Sequence, residues 1–169
     1  MDTPAVRRYK EAVERYSALV RAHGDVSLGA FLRAAESALS ALYGSAADLP
    51  EVSPATDQLP EQKADRDQYR LLQGSLAAQL GQYDAYREVF DPTDPEDPEP
   101  VQYLLSLDLV EILEDVEEGR RLVDPGVSIS PADVLWEWRF DFTSHWGRHA
   151  VTALKVVNSL LHTQFVEYV

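Results

Sequence analysis

One stretch of the sequence constrains the fold more than any other, the twenty residues 130–149. It contains all three tryptophans and begins with Ser130 and Pro131, a typical helix start with proline at the first helical position. No further proline follows, and apolar residues recur at helical spacing as far as Phe165. The pattern predicts one long helix with a local distortion near residues 144–147. Because only a thin polar strip faces water on a helical wheel, we expect this helix at the centre of the molecule.

Helical periodicity also dominates the earlier part of the chain. Apolar residues three and four positions apart predict helices over about residues 4–23, 25–44, 61–80 and 101–122, and a short aromatic helical turn over 83–90. Alternation typical of strands does not extend over a useful length. The sequence therefore predicts an all-α fold, a bundle of about five long helices with the aromatic-rich C-terminal helix at its centre. We expect residues 1–169 to form a single helical domain.

The composition narrows the class of protein. The chain has 169 residues, of which 45% are hydrophobic, and this is enough for one domain with a substantial core. It has no cysteine, which excludes disulfides and thiolate zinc sites. The N-terminus lacks the apolar core of a signal peptide, and no apolar run approaches the roughly 20 residues that cross a membrane. We therefore expect a cytoplasmic protein with no membrane partner.

The negative charge is concentrated in one part of the chain. The formal net charge is −14, which argues against nucleic acid as a partner. Residues 84–118 contain thirteen acidic side chains and one basic residue, Arg87, so they carry −12. They include the segment D-P-T-D-P-E-D-P-E-P at 91–100, which predicts an extended acidic loop rich in proline. An acidic surface of this kind favours a basic protein partner.

Two predicted helices carry candidate ligands on an apolar background. On the last helix, Asp141, His145 and His149 follow one another at intervals of four residues and so share one ridge. On the fourth helix, Asp108, Glu111 and Asp115 share a second ridge, at intervals of three and four residues. Trp136, Trp138 and Trp146 are the aromatic residues expected around them. Three interpretations remain open: hydrogen bonds and ion pairs between helices, acid–base chemistry, or a divalent metal. The metal would be held by Asp141, His145 and His149 or, as Mg²⁺ or Mn²⁺, by the carboxylates of the fourth helix. Because Trp146 stands where zinc proteases have glutamate, the sequence excludes that class.

Carboxylates of the fourth helix also have the spacing of a known phosphate chemistry. Glu111 and Glu114 form an E-x-x-E motif, which all-α nucleoside triphosphate pyrophosphohydrolases pair with a second motif to bind magnesium. The second motif is missing from this sequence.

Four ordered motifs resemble one bacterial family. They are L-Y-x-x-A-x-x-L-P at 42–50, L-G-x-Y-D-x-Y-x-x-V-F-D-P at 80–92, D-L-x-x-I-x-x-D at 108–115, and W-x-W followed by F-x-x-H-W-G-x-H at 136–149. Together they resemble the domain-of-unknown-function family numbered 5063. The resemblance implies a small helical protein without an assigned activity, and it supplies no catalytic residues.

Two functions are compatible with these patterns. The first is a non-enzymatic interaction or adaptor protein that presents an acidic surface and needs no cofactor. The alternative is a metal- or phosphate-dependent enzyme that uses the carboxylate and histidine cluster between the last two helices. The sequence does not determine the oligomeric state.

Overall fold

The chain folds mainly into α-helices, and a computed structural model describes residues 3–56, 65–90 and 93–162. Within these ranges the helices are α1 (Pro4–Arg21), α2 (Leu28–Ala47), α3 (Arg66–Leu80), α4 (Leu105–Arg121), α5 (Pro131–Asp141) and α6 (Gly147–His162). The all-α class is therefore confirmed. The predicted start of the third helix at Glu61 and the predicted end of the last helix at Phe165 lie outside the described residues.

The predicted start of the last helix is confirmed at Ser130. Its hydroxyl accepts a hydrogen bond from the backbone N–H of Asp133 (3.1 Å) and donates one to the Asp133 carboxylate (2.7 Å). That carboxylate also accepts the backbone N–H groups of Ala55 (2.6 Å) and Thr56 (3.0 Å). Asp133 therefore attaches the segment that follows α2 to the start of α5.

The last helix is continuous but contains a π-helical turn at Phe142–Trp146, which joins α5 to α6. The predicted distortion is therefore confirmed. The backbone N–H of Gly147 bonds to the Phe142 carbonyl five residues earlier, the spacing that defines a π-turn. A Cβ atom at Gly147 would lie 2.3 Å from that carbonyl oxygen, so this turn requires glycine.

A short antiparallel β-hairpin corrects two predictions. Strands β1 (Ala85–Val89) and β2 (Pro100–Leu104) pair with Tyr86 opposite Tyr103. The predicted helical turn at 83–90 is therefore wrong, as is the predicted helix start at Val101, because α4 begins at Leu105. Tyrosine and valine favour extended backbone, and five residues are too few for periodicity to distinguish a strand from a helix.

The predicted acidic loop connects the two strands of the hairpin. Its residues Asp94, Glu96, Asp97 and Glu99 are exposed, while Asp91 and Pro92 lie outside the described residues. Charged, proline-rich sequence suits such a position because its backbone and side chains stay in water.

The base of the hairpin is closed by Asp84, which is buried. Its backbone carbonyl accepts the N–H of Leu105 (2.8 Å), and its carboxylate accepts the N–H (2.7 Å) and the hydroxyl (3.0 Å) of Ser106. The residue before α4, Leu104, has no side chain that caps the helix. Asp84 therefore supplies the cap from the opposite end of the hairpin.

The helices enclose a core in which α6 packs between α2 and α4, and α1 packs on α2 and α4. Trp146 of the π-turn is fully buried in this core, with Tyr16, Phe31 and Leu113. This position agrees with the expectation that the last helix is central. Within the described ranges, no helix is long and apolar enough to cross a membrane.

Candidate functional site

Helix α4 and the π-turn with α6 face each other through a cluster of histidines and carboxylates. His145 Nδ1 lies 2.6 Å from Asp115 Oδ2, and His149 Nδ1 lies 2.8 Å from Asp108 Oδ1. The other ring nitrogen of His149, Nε2, lies 3.3 Å from Glu111 Oε2. The structure thus brings together five of the six polar residues that the two sequence ridges indicated.

The pair formed by Asp108 and His149 is the most buried part of this cluster. The Asp108 side chain is 5% exposed, and it also accepts a hydrogen bond from the Tyr86 hydroxyl (2.5 Å). The hydrogen bond with Asp108 raises the pKa of His149, burial opposes the shift, and Glu111 supports it. Asp108 therefore holds the imidazole ring in one orientation, with Nε2 directed toward Glu111.

Tyr86 is a member of the site that the sequence did not reveal. Its contact with Asp108 depends on the hairpin, which places β1 beside α4. Burial and the hydrogen bond to Asp108 raise the pKa of the Tyr86 hydroxyl, which stays protonated as a donor. The sequence did show Tyr83 and Tyr86 three residues apart, but this spacing was interpreted as part of a helical turn.

Three residues of the cluster have the geometry of metal ligands. Glu111, His145 and His149 each offer one donor atom, and these atoms all lie within 4.8 Å of one another. The two imidazole rings are 4.9 Å apart at their centroids. Each histidine keeps Nδ1 on a carboxylate of α4, so its Nε2 is the nitrogen that remains for an ion.

Asp141, one of the candidate ligands on the sequence ridge, does not join this group. The straight ridge Asp141, His145, His149 assumes four residues per step, whereas the π-turn takes an additional residue into its turn. Burial, followed by repulsion from Glu137, Asp115 and Glu118, raises the pKa of Asp141 to about 8. Asp141 is therefore a carboxyl group that holds its proton at neutral pH.

The three tryptophans mainly form packing contacts. Trp138 donates from Nε1 to the Gly119 carbonyl (2.7 Å) and packs against Tyr9. The Trp136 ring stacks on Phe140 (4.9 Å), and Trp146 contacts Phe142. They support the helix on which the histidines lie.

The fold and this cluster define a mainly helical protein with one β-hairpin. Two histidines of its last helix, one in the π-turn and one in α6, lie against the carboxylates of α4. The family model described as "Domain of unknown function (DUF5063)" matches residues 3–163, and the chain therefore belongs to this family. The resemblance seen in the sequence motifs is confirmed.

A solved structure has the same fold. The crystal structure of protein BF1032 from Bacteroides fragilis is 20% identical to the chain, with a TM-score of 0.80. The match covers 95% of this chain and 94% of that chain. None of the curated proteins matches this chain in sequence.

Proposed function

We propose that this protein is a metal-dependent enzyme of the hydrolytic type, in which Glu111, His145 and His149 bind one divalent ion. The observation that carries the proposal is the convergence of these three donor atoms within 4.8 Å of one another. Two histidines and one carboxylate are a common ligand set of catalytic zinc sites, which keep a further position for water or substrate.

One pair of donors already has the spacing that a tetrahedral metal site requires. In a tetrahedral site with ligand bonds of about 2.1 Å, neighbouring donor atoms lie roughly 3.4 Å apart. His149 Nε2 and Glu111 Oε2 are 3.3 Å apart. The carboxylates of Asp108 and Asp115 orient the two rings from behind, as the outer shell of a metal site does.

Two cavities lined by residues of the cluster would give a substrate access to the proposed ion. Glu111, Asp115 and His145 line a cavity of about 510 Å³, and Arg70 lies in its wall. His149 lines a second cavity of about 640 Å³. An ion held there with an open position would polarise a bound water.

Metal analysis of protein purified without a histidine tag tests the proposal. We expect one Zn²⁺ or Co²⁺ per chain and, in the cobalt form, the visible absorption of a four-coordinate site. His149→Ala or Glu111→Gln removes a ligand and should weaken binding more than 100-fold. Asp108→Asn removes only the orienting carboxylate and should weaken it about 10- to 100-fold.

Matched controls are available away from the cluster. His162 is exposed near the end of α6, and Glu11 is exposed on α1, so His162→Ala and Glu11→Gln should leave binding unchanged. Equal losses in the control and ligand variants, or no binding at equimolar metal, would contradict the proposal. Metal-dependent turnover of chromogenic esters that disappears in Glu111→Gln would support the enzymatic part.

The interaction function stays a second candidate. The acidic residues of the hairpin loop, Asp94, Glu96, Asp97 and Glu99, are exposed, as a surface for a basic protein partner requires. We expect charge-neutralising changes at these four positions to release a basic partner in a pull-down, while Glu111→Gln keeps it. A partner retained by the neutralised loop argues against this function.

A further inference from the structure

A cavity of about 640 Å³ lies between the β-hairpin, the π-turn and α6. Its volume is within the range of about 300–1,000 Å³ typical of small-molecule sites. Five aromatic side chains from separate elements of the fold line this cavity, those of Tyr43, Tyr86, Phe90, Tyr103 and Phe142.

The aromatic wall is arranged as two pairs of rings. Tyr86 and Tyr103 stack across the hairpin with centroids 5.8 Å apart, and Tyr43 meets the edge of Phe142 at 5.1 Å. Flat rings of this kind favour a flat, apolar ligand because offset stacking and edge contacts are the preferred aromatic arrangements.

The charged groups of the cavity differ in whether they already have a partner. Lys155 forms an ion pair with Glu88, and Asp108 is occupied by His149 and Tyr86. Arg148 differs, because its guanidinium lies over the Phe90 ring (4.9 Å) and forms no ion pair with any residue that the structure describes. In a chain with a net charge of −14, this cation is available to an anion that enters the cavity.

We propose that this cavity binds an organic anion with a flat aromatic body, whose acid group pairs with Arg148 and whose rings lie among the tyrosine and phenylalanine side chains. The proposal goes beyond the metal-dependent function, because the contacts it uses do not require an ion.

A pair of fluorescent probes that differ by one charge tests the proposal. Anilinonaphthalene sulfonate carries the acid group, and phenylnaphthylamine is its neutral counterpart. With wild-type protein in EDTA, we expect saturable binding of the sulfonate at one site. Arg148→Gln should lower the affinity for the sulfonate about tenfold, as the loss of a hydrogen bond to a charged group does. The affinity for the neutral probe should stay within about twofold of the wild-type value.

A control separates this pairing from the general charge of the protein. Arg33 is exposed on α2 and does not line the cavity, so Arg33→Gln changes the charge by the same amount. We expect it to bind both probes as the wild type does. Near-ultraviolet circular dichroism checks that each variant keeps its tertiary structure.

A second variant tests the site without changing Arg148. Val151 lies in the cavity wall and is 51% exposed, so Val151→Asp adds a negative charge without burying it. It should also weaken the sulfonate selectively. Three results would overturn the proposal. They are sulfonate binding that does not saturate, sulfonate binding that neither Arg148→Gln nor Val151→Asp weakens, and a loss of affinity in Arg33→Gln equal to that in Arg148→Gln. If the wild-type protein binds the sulfonate but binds no metal, only the metal-dependent function is overturned.

Discussion

Replacing Gly147 with alanine is expected to destabilise the protein by about 3 kcal/mol, at the upper end of the range for overpacking. The added Cβ atom would lie 2.3 Å from the Phe142 carbonyl oxygen and 3.0 Å from the Phe142 ring. The carbonyl belongs to the backbone of the same π-turn, so it cannot move aside as a side chain does. Relief requires a change in the turn, which displaces His145 relative to His149.

Urea unfolding and metal titration measure this effect together. We expect Gly147→Ala to lose both stability and metal affinity. Gly44 is a matched control, because it lies within α2 and a Cβ atom there meets nothing within 4 Å. Gly44→Ala should stabilise the protein by roughly 0.5–1 kcal/mol. If Gly147→Ala behaves like Gly44→Ala, the π-turn does not depend on glycine.

Removing the carboxylate of Glu117 is expected to cost about 3 kcal/mol of stability, the lower end of the range for breaking a buried ion pair. Glu117 is 9% exposed at its side chain, and it accepts hydrogen bonds from Arg21 Nε (2.8 Å) and the Tyr69 hydroxyl (2.7 Å). The lower value applies because the Arg21 side chain is 38% exposed and stays partly hydrated in Glu117→Ala.

The same residue predicts how stability changes with pH. Burial favours the protonated acid, but hydrogen bonds from Arg21 and Tyr69 outweigh it, so the pKa of Glu117 is lowered in the folded protein. Its contribution is therefore present above the unfolded pKa of about 4.5 and is lost as pH falls through the lower folded pKa.

Urea unfolding at pH 7 and at several values below pH 4.5 measures this contribution. The stability difference between wild type and Glu117→Gln should shrink as the medium becomes more acidic. Glu11 is an exposed carboxylate on α1, so Glu11→Gln should follow the wild type at every pH. A constant difference for Glu117→Gln would show that its carboxylate does not titrate with folding.

The features that the sequence predicted well depend on neighbouring residues. The cap at Ser130, the proline at Pro131 and the apolar spacing of the helices act within one or two turns, and their positions follow from local physical chemistry. The two ridges of α4 and the last helix were predicted for the same reason. Whether the two ridges face each other was not predicted, because this depends on how the two helices pack.

The features that the sequence did not predict depend on distant contacts. Tyr86 reaches Asp108 only because the hairpin has its particular register, and Asp141 leaves the histidine ridge only because the π-turn forms at Gly147. The distant partners of Glu117 and Asp133 were not predicted, since they lie at sequence separations of up to 96 and 78 residues. An acidic residue in a sequence does not reveal a partner at such a distance.

The cap that Asp84 provides has a consequence for the order in which parts of the molecule open. One carboxylate closes the hairpin and also begins α4, the helix that carries Asp108 and Glu111. The strands therefore cannot separate without freeing the first amide groups of that helix. Hairpin and helix start form one cooperative unit, in which the amide hydrogens of β2 and of the first turn of α4 exchange with solvent through a shared opening.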